Sequence, residues 1–259
     1  MDQIVVVEKL GNVSIIRMNH PGSMNSLEKE LRSQLKQSLN DFRVDATSRV
    51  AVLTGTGKAF CSGGSLKELG GGMSAVTSVQ YVKEVSEIIL LLTSIEKPII
   101  ASVNGAAVGA GFNMALACDI LIASASAKFS QAFAKVGLIP DLGGLYFLPR
   151  AVGMHRAKEL IYSARMLSAD EAFKMGLVNA VIPDEQLEAH SREYASTMAQ
   201  GPIRSFELSK SILSRSLELS LSDVLRYEAL AQAICMQSDD HKEGVQSYYE
   251  KRKPDFSGK

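Results

Sequence analysis

The alternation of apolar and polar positions predicts short strands interleaved with longer helices. Residues 4–8 and 13–18 alternate with period two around Gly11-Asn12, the pattern of a strand hairpin. Loop chemistry follows at His20-Pro21-Gly22-Ser23-Met24-Asn25. Ser26 then stands where an N-cap belongs, and Leu31, Leu35 and Leu39 share one face of a helix over 27–41. A β-branched strand at 50–54 ends in Gly55-Thr56-Gly57. The segment 59–67 is a second glycine turn that opens a helical segment, and Gly70-Gly71-Gly72 breaks the chain again. Helical periodicity returns over 76–94, with Val79, Val82, Ile88 and Leu92 on its apolar face, before a buried strand at 98–103.

The stretch 102–150 stands out. An apolar strand runs into a turn of small residues, 105–111, and then a helix over 112–118. Small residues ahead of a helix let the backbone approach a ligand, and the helix start offers unpaired N–H groups. Further on, one acid, Asp141, sits between Pro140 and the pair Gly143-Gly144 in a largely apolar segment. It reads either as a turn residue after proline or as a base. Short strands are expected at 120–123 and 128–130, helices at 157–163 and from 168 to Gly176, and a strand at 177–182. From 184 to about 249 the pattern is nearly all helical: 185–199, 203–216 and 222–236. The fold class is α/β with a helical C-terminal appendage.

Composition narrows the function classes. The 259 residues are 46% hydrophobic and 22% charged, which suits a soluble globular protein with a sizeable core. A formal net charge of +0 gives no global reason to expect a nucleic acid partner. His20, His155, His190 and His241 lack metal-ligand spacing, so no metal is expected. Cys61, Cys118 and Cys235 include no CxxC pair and favour reduced thiols. The first residues carry no signal-peptide pattern, and the apolar runs are too short to span a bilayer. The expectation is a cytoplasmic protein with no membrane contact.

Five stretches, in order along nearly the whole chain, carry a resemblance: KAFCSGGSLKEL, SVNGAAVGAGFNMALACDI, AKFSQAFAKVGLIPDLGG with LPR after it, LSADEAFKMGLVNAVIP, and EGVQSYYEKRKPDF. Together they resemble the enoyl-CoA hydratase/isomerase (crotonase) family. The resemblance implies a crotonase (ClpP-like) spiral of ββα repeats over residues 1–200 holding the acyl-CoA site. It also implies a C-terminal helical trimerisation region over 201–259, giving a homotrimer or homohexamer. The substrate would be an acyl-CoA thioester, with coenzyme A as part of the substrate and no separate cofactor.

By the same resemblance, the backbone N–H groups of Gly64 and Ala110 form an oxyanion hole for the thioester oxygen, and Ser62, Gly109, Gly111, Asn113 and Phe133 lie along the acyl-CoA-binding path. Preorganised donors stabilise the enolate charge where water would have to reorganise. Ala110 stands where many relatives have Gly. Ser65, Leu66 and Lys67 match the family segment along the adenine and pantetheine path, with Ser65 replacing an Asp. Met24 falls on the loop at the nucleotide end. Lys251 matches a lysine that reaches the CoA phosphates from a neighbouring subunit, although a solvated helix end accounts for it as well.

The reaction turns on departures from the family pattern. Family hydratases carry two glutamates that hold and activate water, at the positions of Asn113 and Phe133 here. A carboxamide is no base near neutral pH, and a phenyl ring cannot orient water. Asp141 matches the catalytic Asp of family isomerases, with the nearest resemblance to the ring-opening epoxyphenylacetyl-CoA isomerases of phenylacetate breakdown. The expectation is an isomerase that moves one proton with one acid. The alternatives are an enoyl-CoA hydratase of fatty-acid β-oxidation and a non-catalytic acyl-CoA-binding subunit. Asp119, Glu84 and Glu87 are assigned to structure or solvated faces; Tyr81 and Tyr146 are within reach of the pocket but are assigned to core or surface. Cys61 has no paired His and is given no nucleophilic role.

Overall fold

The computed structural model describes residues 3–258. The chain opens with the expected antiparallel hairpin, β1 (Val5–Leu10) and β2 (Val13–Met18), followed by helix α1 (Lys29–Val44). Three successive units then share one plan, in which a strand enters each of two sheets before the chain turns helical. The first is β3 (Val50–Gly55) and β4 (Ala59–Cys61) with α2 (Leu66–Leu69) and α3 (Ala75–Ser94). The second is β5 (Ile99–Val103) and β6 (Ala106–Val108) with α4 (Ala110–Leu116). The third is β7 (Ile120–Ser124) and β8 (Lys128–Ser130) with α5 (Gly144–Val152) and α6 (Met154–Ser163). The chain closes with β9 (Leu167–Ser168), α7 (Ala169–Lys174), β10 (Ala180–Ile182), α8 (Leu187–Ala199), α9 (Ile203–Leu213), α10 (Leu221–Gln237) and α11 (Asp239–Glu250).

The long sheet has the order β1-β2-β3-β5-β7-β10 and the short one β4-β6-β8-β9. Each ββα unit therefore moves one place along both sheets, which winds the chain into the expected spiral. Strands β3 and β5 are buried at every residue, as parallel strands covered on both faces must be. Period two splits their side chains between two cores. Leu53 and Ala101 face the main core with Leu31, Leu35, Phe60, Ile88 and Phe112. Val52 and Ile100 face a second core that α8 covers through Leu187, Ala195 and Ala199.

Three local expectations are corrected. Helix α1 starts at Lys29, two residues later than its leucine pattern suggests, with Glu28 at the N-cap. The Leu27 N–H donates instead to Gly63 O at 2.8 Å, and the Ser26 hydroxyl donates to the Glu28 carboxylate. A tertiary tie to the glycine turn outweighs the local cap. In α3, Val79 and Val82 are exposed, and burial falls on Val85, Ile88, Ile89 and Leu92. Helix α5 has no counterpart in the sequence reading, because Gly143, Gly144 and Pro149 all read as breakers.

The C-terminal helices are tied to the spiral at a few polar points. Lys210 on α9 pairs with Asp119 at 2.7 Å and donates to the carbonyls of Lys97 and Leu92. The buried Asp240 carboxylate accepts from the N–H groups of Ser257 and Gly258. Helix α10 buries no residue and leaves Leu221, Leu225, Leu230 and Ile234 exposed. Among the described residues, no helix is long and apolar enough to cross a membrane.

Candidate functional site

Strands β4 and β6 lie side by side and in parallel, so the turns leaving their C-terminal ends meet. The contact is tight enough to dictate glycine. A Cβ on Gly63 would fall 2.7 Å from Val108 O, and one on Gly111 only 2.1 Å from Cys61 O. Gly109, at φ 53° and ψ −121°, holds a conformation that side chains strongly disfavour. It turns the chain so that Ala110 becomes the first residue of α4. Among the described residues, neither the Gly64 nor the Ala110 N–H has an acceptor. Two backbone donors from separate loops are thus left open at one junction.

The walls of this junction come from the next unit of the spiral. The buried Phe133 ring stands 3.6 Å from where a Cβ on Gly109 would be. Asp141 lies in the loop before α5, and its Oδ1 is buried without a hydrogen-bond partner. Burial pushes its carboxyl up to about 6, against the weaker opposing pull of its own backbone N–H.

A buried amide relay fixes this loop. Gln131 Nε2 donates to Asn113 Oδ1 at 2.7 Å, and Asn113 Nδ2 donates to the Asp141 carbonyl at 2.8 Å. The fit leaves no room at Gly144, where a Cβ would lie 2.3 Å from Asn113 Nδ2. Asn113, expected along the substrate path, is fully buried and turned beneath the acid's loop. Sequence reasoning passed over Gln131. Its available signal was an amide between Phe129 and Phe133, both of which are buried.

The residues expected along the coenzyme A path divide. Met24 is exposed, with φ at 53°, and its carbonyl accepts the Ser62 N–H at 3.0 Å. The Ser62 hydroxyl donates to Ser23 O, so this loop and the glycine turn form one rim. Ser65 is buried at the start of α2, whereas Leu66 and Lys67 face solvent. Lys251 is exposed at the left-handed C-cap of α11, and within the described chain no hydrogen bond or ion pair joins it to the rim. Cys61 is buried, and desolvation pushes its thiol up to about 12, which rules out a thiolate nucleophile at neutral pH. Glu84 and Glu87 lie on the exposed side of α3 and pair with Arg32 and Lys36.

The chain matches the profile of the enoyl-CoA hydratase/isomerase family over residues 8–259. It belongs to this family. A probable enoyl-CoA hydratase of Rhodobacter capsulatus is 41% identical to it across 95% of both chains. The 1,2-epoxyphenylacetyl-CoA isomerase of Escherichia coli is 36% identical across 98% of this chain and 97% of its own. A crystal structure of enoyl-CoA hydratase from Bacillus anthracis superposes with a TM-score of 0.95 at 35% identity, covering 99% of this chain and 100% of that one. The protein is therefore a crotonase-family enzyme acting on acyl-CoA thioesters, and both hydratases and an isomerase stand among its relatives.

The relay makes a stability prediction. Asn113→Leu leaves Gln131 Nε2 buried and unpaired, at about 1–3 kcal/mol, and removes one of the two donors to the Asp141 carbonyl, which keeps the Gly144 N–H. Chemical denaturation should show a loss of about 1–3 kcal/mol. Wild-type stability would mean that the amide pair does not hold the loop.

Proposed function

We propose that this crotonase-family enzyme is an acyl-CoA isomerase in which Asp141 carries the proton. The observation that supports this most strongly is the half-buried Asp141 carboxyl, whose Oδ1 is buried and unpaired among the described residues, with Asn113 and Phe133 where water-activating glutamates would otherwise stand. The thioester oxygen would rest on the N–H groups of Gly64 and Ala110. Asp141 removes a proton α to the thioester, the two donors stabilise the enolate, and the acid returns the proton at the γ carbon. A carboxyl raised to about 6 is a stronger base than an ordinary Asp and is still ionised at neutral pH. The reaction needs no cofactor beyond the coenzyme A carried by the substrate. Epoxide ring expansion is a second outcome open to an isomerase, and the relative from Escherichia coli bears that name.

The hydratase reading has its own support in the relative from Rhodobacter capsulatus, a probable enoyl-CoA hydratase at 41% identity. Asp141 alone would then have to activate water. In the assembly we propose, residues 201–259 form a homotrimer or homohexamer, because α10 exposes a row of leucines that a single chain leaves uncovered. Such an assembly is also what would allow Lys251 to serve a neighbouring site.

Asp141→Asn should lower isomerisation of 3-enoyl-CoA by about 10³-fold. In the wild type, kcat/KM should be flat above a midpoint near pH 6 and fall tenfold per unit below it, because the base must be ionised. Rapid hydration of 2-enoyl-CoA that survives Asp141→Asn would sink the isomerase reading. Ala110→Pro removes one donor at the first helical position, and kcat should drop about 10²–10³-fold. Unchanged kcat would remove Ala110 from the oxyanion hole. Sedimentation should find a trimer or hexamer, and a monomer would contradict the assembly.

A further inference from the structure

Four buried side-chain atoms have no hydrogen-bond partner among the described residues: Arg32 Nε, Tyr81 Oη, Gln131 Oε1 and Asp141 Oδ1. Tyr81 and Asp141 both border the junction of the glycine turns. A Cβ on Gly64 would lie 3.8 Å from the Tyr81 hydroxyl, so this phenol stands beside one of the two open backbone donors. It is also near enough to Asp141 to feel its charge. Burial first, and then the negative charges of Glu68, Asp141 and Glu84, raise the Tyr81 pKa against the opposing pull of Arg32. The phenol therefore keeps its proton at neutral pH and is available to donate.

The ring is held in place from behind. The Arg32 guanidinium lies 5.0 Å from the ring centroid. Arg32 is itself nearly inaccessible and is pinned by Leu27 O at 2.6 Å, Glu68 at 2.7 Å and Glu84 at 3.5 Å. A phenylalanine would fill the same space without leaving a buried hydroxyl unpaired, which costs about 1–3 kcal/mol. The hydroxyl is a liability to the free protein, and a ligand oxygen would relieve it.

We propose that the Tyr81 hydroxyl recognises an oxygen on the acyl group, and that the substrate is an acyl-CoA oxygenated near its thioester rather than a plain hydrocarbon chain. The oxygen is a hydrogen-bond acceptor such as a hydroxyl, an epoxide or ether, or a carbonyl. This deepens the acyl-CoA isomerase reading and rests on its placement of the thioester at Gly64 and Ala110. Tyr81 is a specificity residue here, and Arg32 positions it.

The test measures binding, so it does not depend on which reaction is catalysed. Calorimetry with hexanoyl-CoA and two chain-matched ether analogues, with oxygen in place of C3 or C4, is run on Asp141→Asn so that no proton is moved. At least one ether analogue should bind about ten-fold tighter than hexanoyl-CoA, the worth of one buried hydrogen bond. Adding Tyr81→Phe should abolish that preference while leaving hexanoyl-CoA affinity unchanged. Absence of the preference, its survival in Tyr81→Phe, or an equal loss for hexanoyl-CoA would each overturn the proposal. The isomerase reading fails separately, on turnover of 3-enoyl-CoA.

Discussion

A half-buried carboxyl group, with one oxygen buried and unpaired among the described residues, is the constraint on which this site depends. An ionised carboxylate out of water is costly, and the chain answers by holding the Asp141 proton up to about pH 6. The folded state binds that proton more tightly than the unfolded chain does. The resulting stabilisation is complete below the ordinary Asp range and is lost as pH rises through about 6. At neutral pH the acid therefore weakens the fold that carries it, and among the described residues no neighbour offers it an ion pair.

The spiral explains how such a group can be held in place. Parallel pairing of β4 with β6 brings two turns together so closely that Gly63 and Gly111 admit no side chain. The next unit then supplies Phe133 and the Asp141 loop as walls. The loop is fixed through its backbone, by Asn113 and Gln131, while among the described residues its buried carboxyl oxygen stays without a partner. Rigid main chain and an unpaired carboxyl oxygen coexist because Asn113, itself held by Gln131, binds the Asp141 carbonyl. The same separation holds at Tyr81, where Arg32 fixes the ring and leaves the hydroxyl unpaired.

Much of the fold was legible in the sequence wherever a feature was local. The hairpin at Gly11-Asn12, the buried strands β3 and β5, and the capping-box start of α7 at Ser168 and Glu171 all follow from short-range pattern. The two glycine turns were visible as well, but the reason for their glycines was not. That reason is a contact between residues far apart in sequence, Gly111 against Cys61. The same limit hid the Gln131–Asn113–Asp141 relay, whose members look like an unremarkable amide, a lost glutamate and a turn acid when read singly. It also hid α5, where two glycines and a proline outweigh the pattern until α4 packs against it. Tyr81 was read as within reach of the pocket but assigned to core or surface. Its ring does pack against the main core, and only the placement of its hydroxyl sets it apart.

The account turns on Asp141 being both desolvated and unpaired, and a site-resolved titration of its carboxyl tests that directly. Carboxyl ¹³C resonances followed against pH, with Asp141→Asn to assign the signal, should show Asp141 titrating in one step near 6. A midpoint at or below the ordinary Asp value of about 3.9 would contradict the account, because it would mean that the carboxylate is solvated or paired.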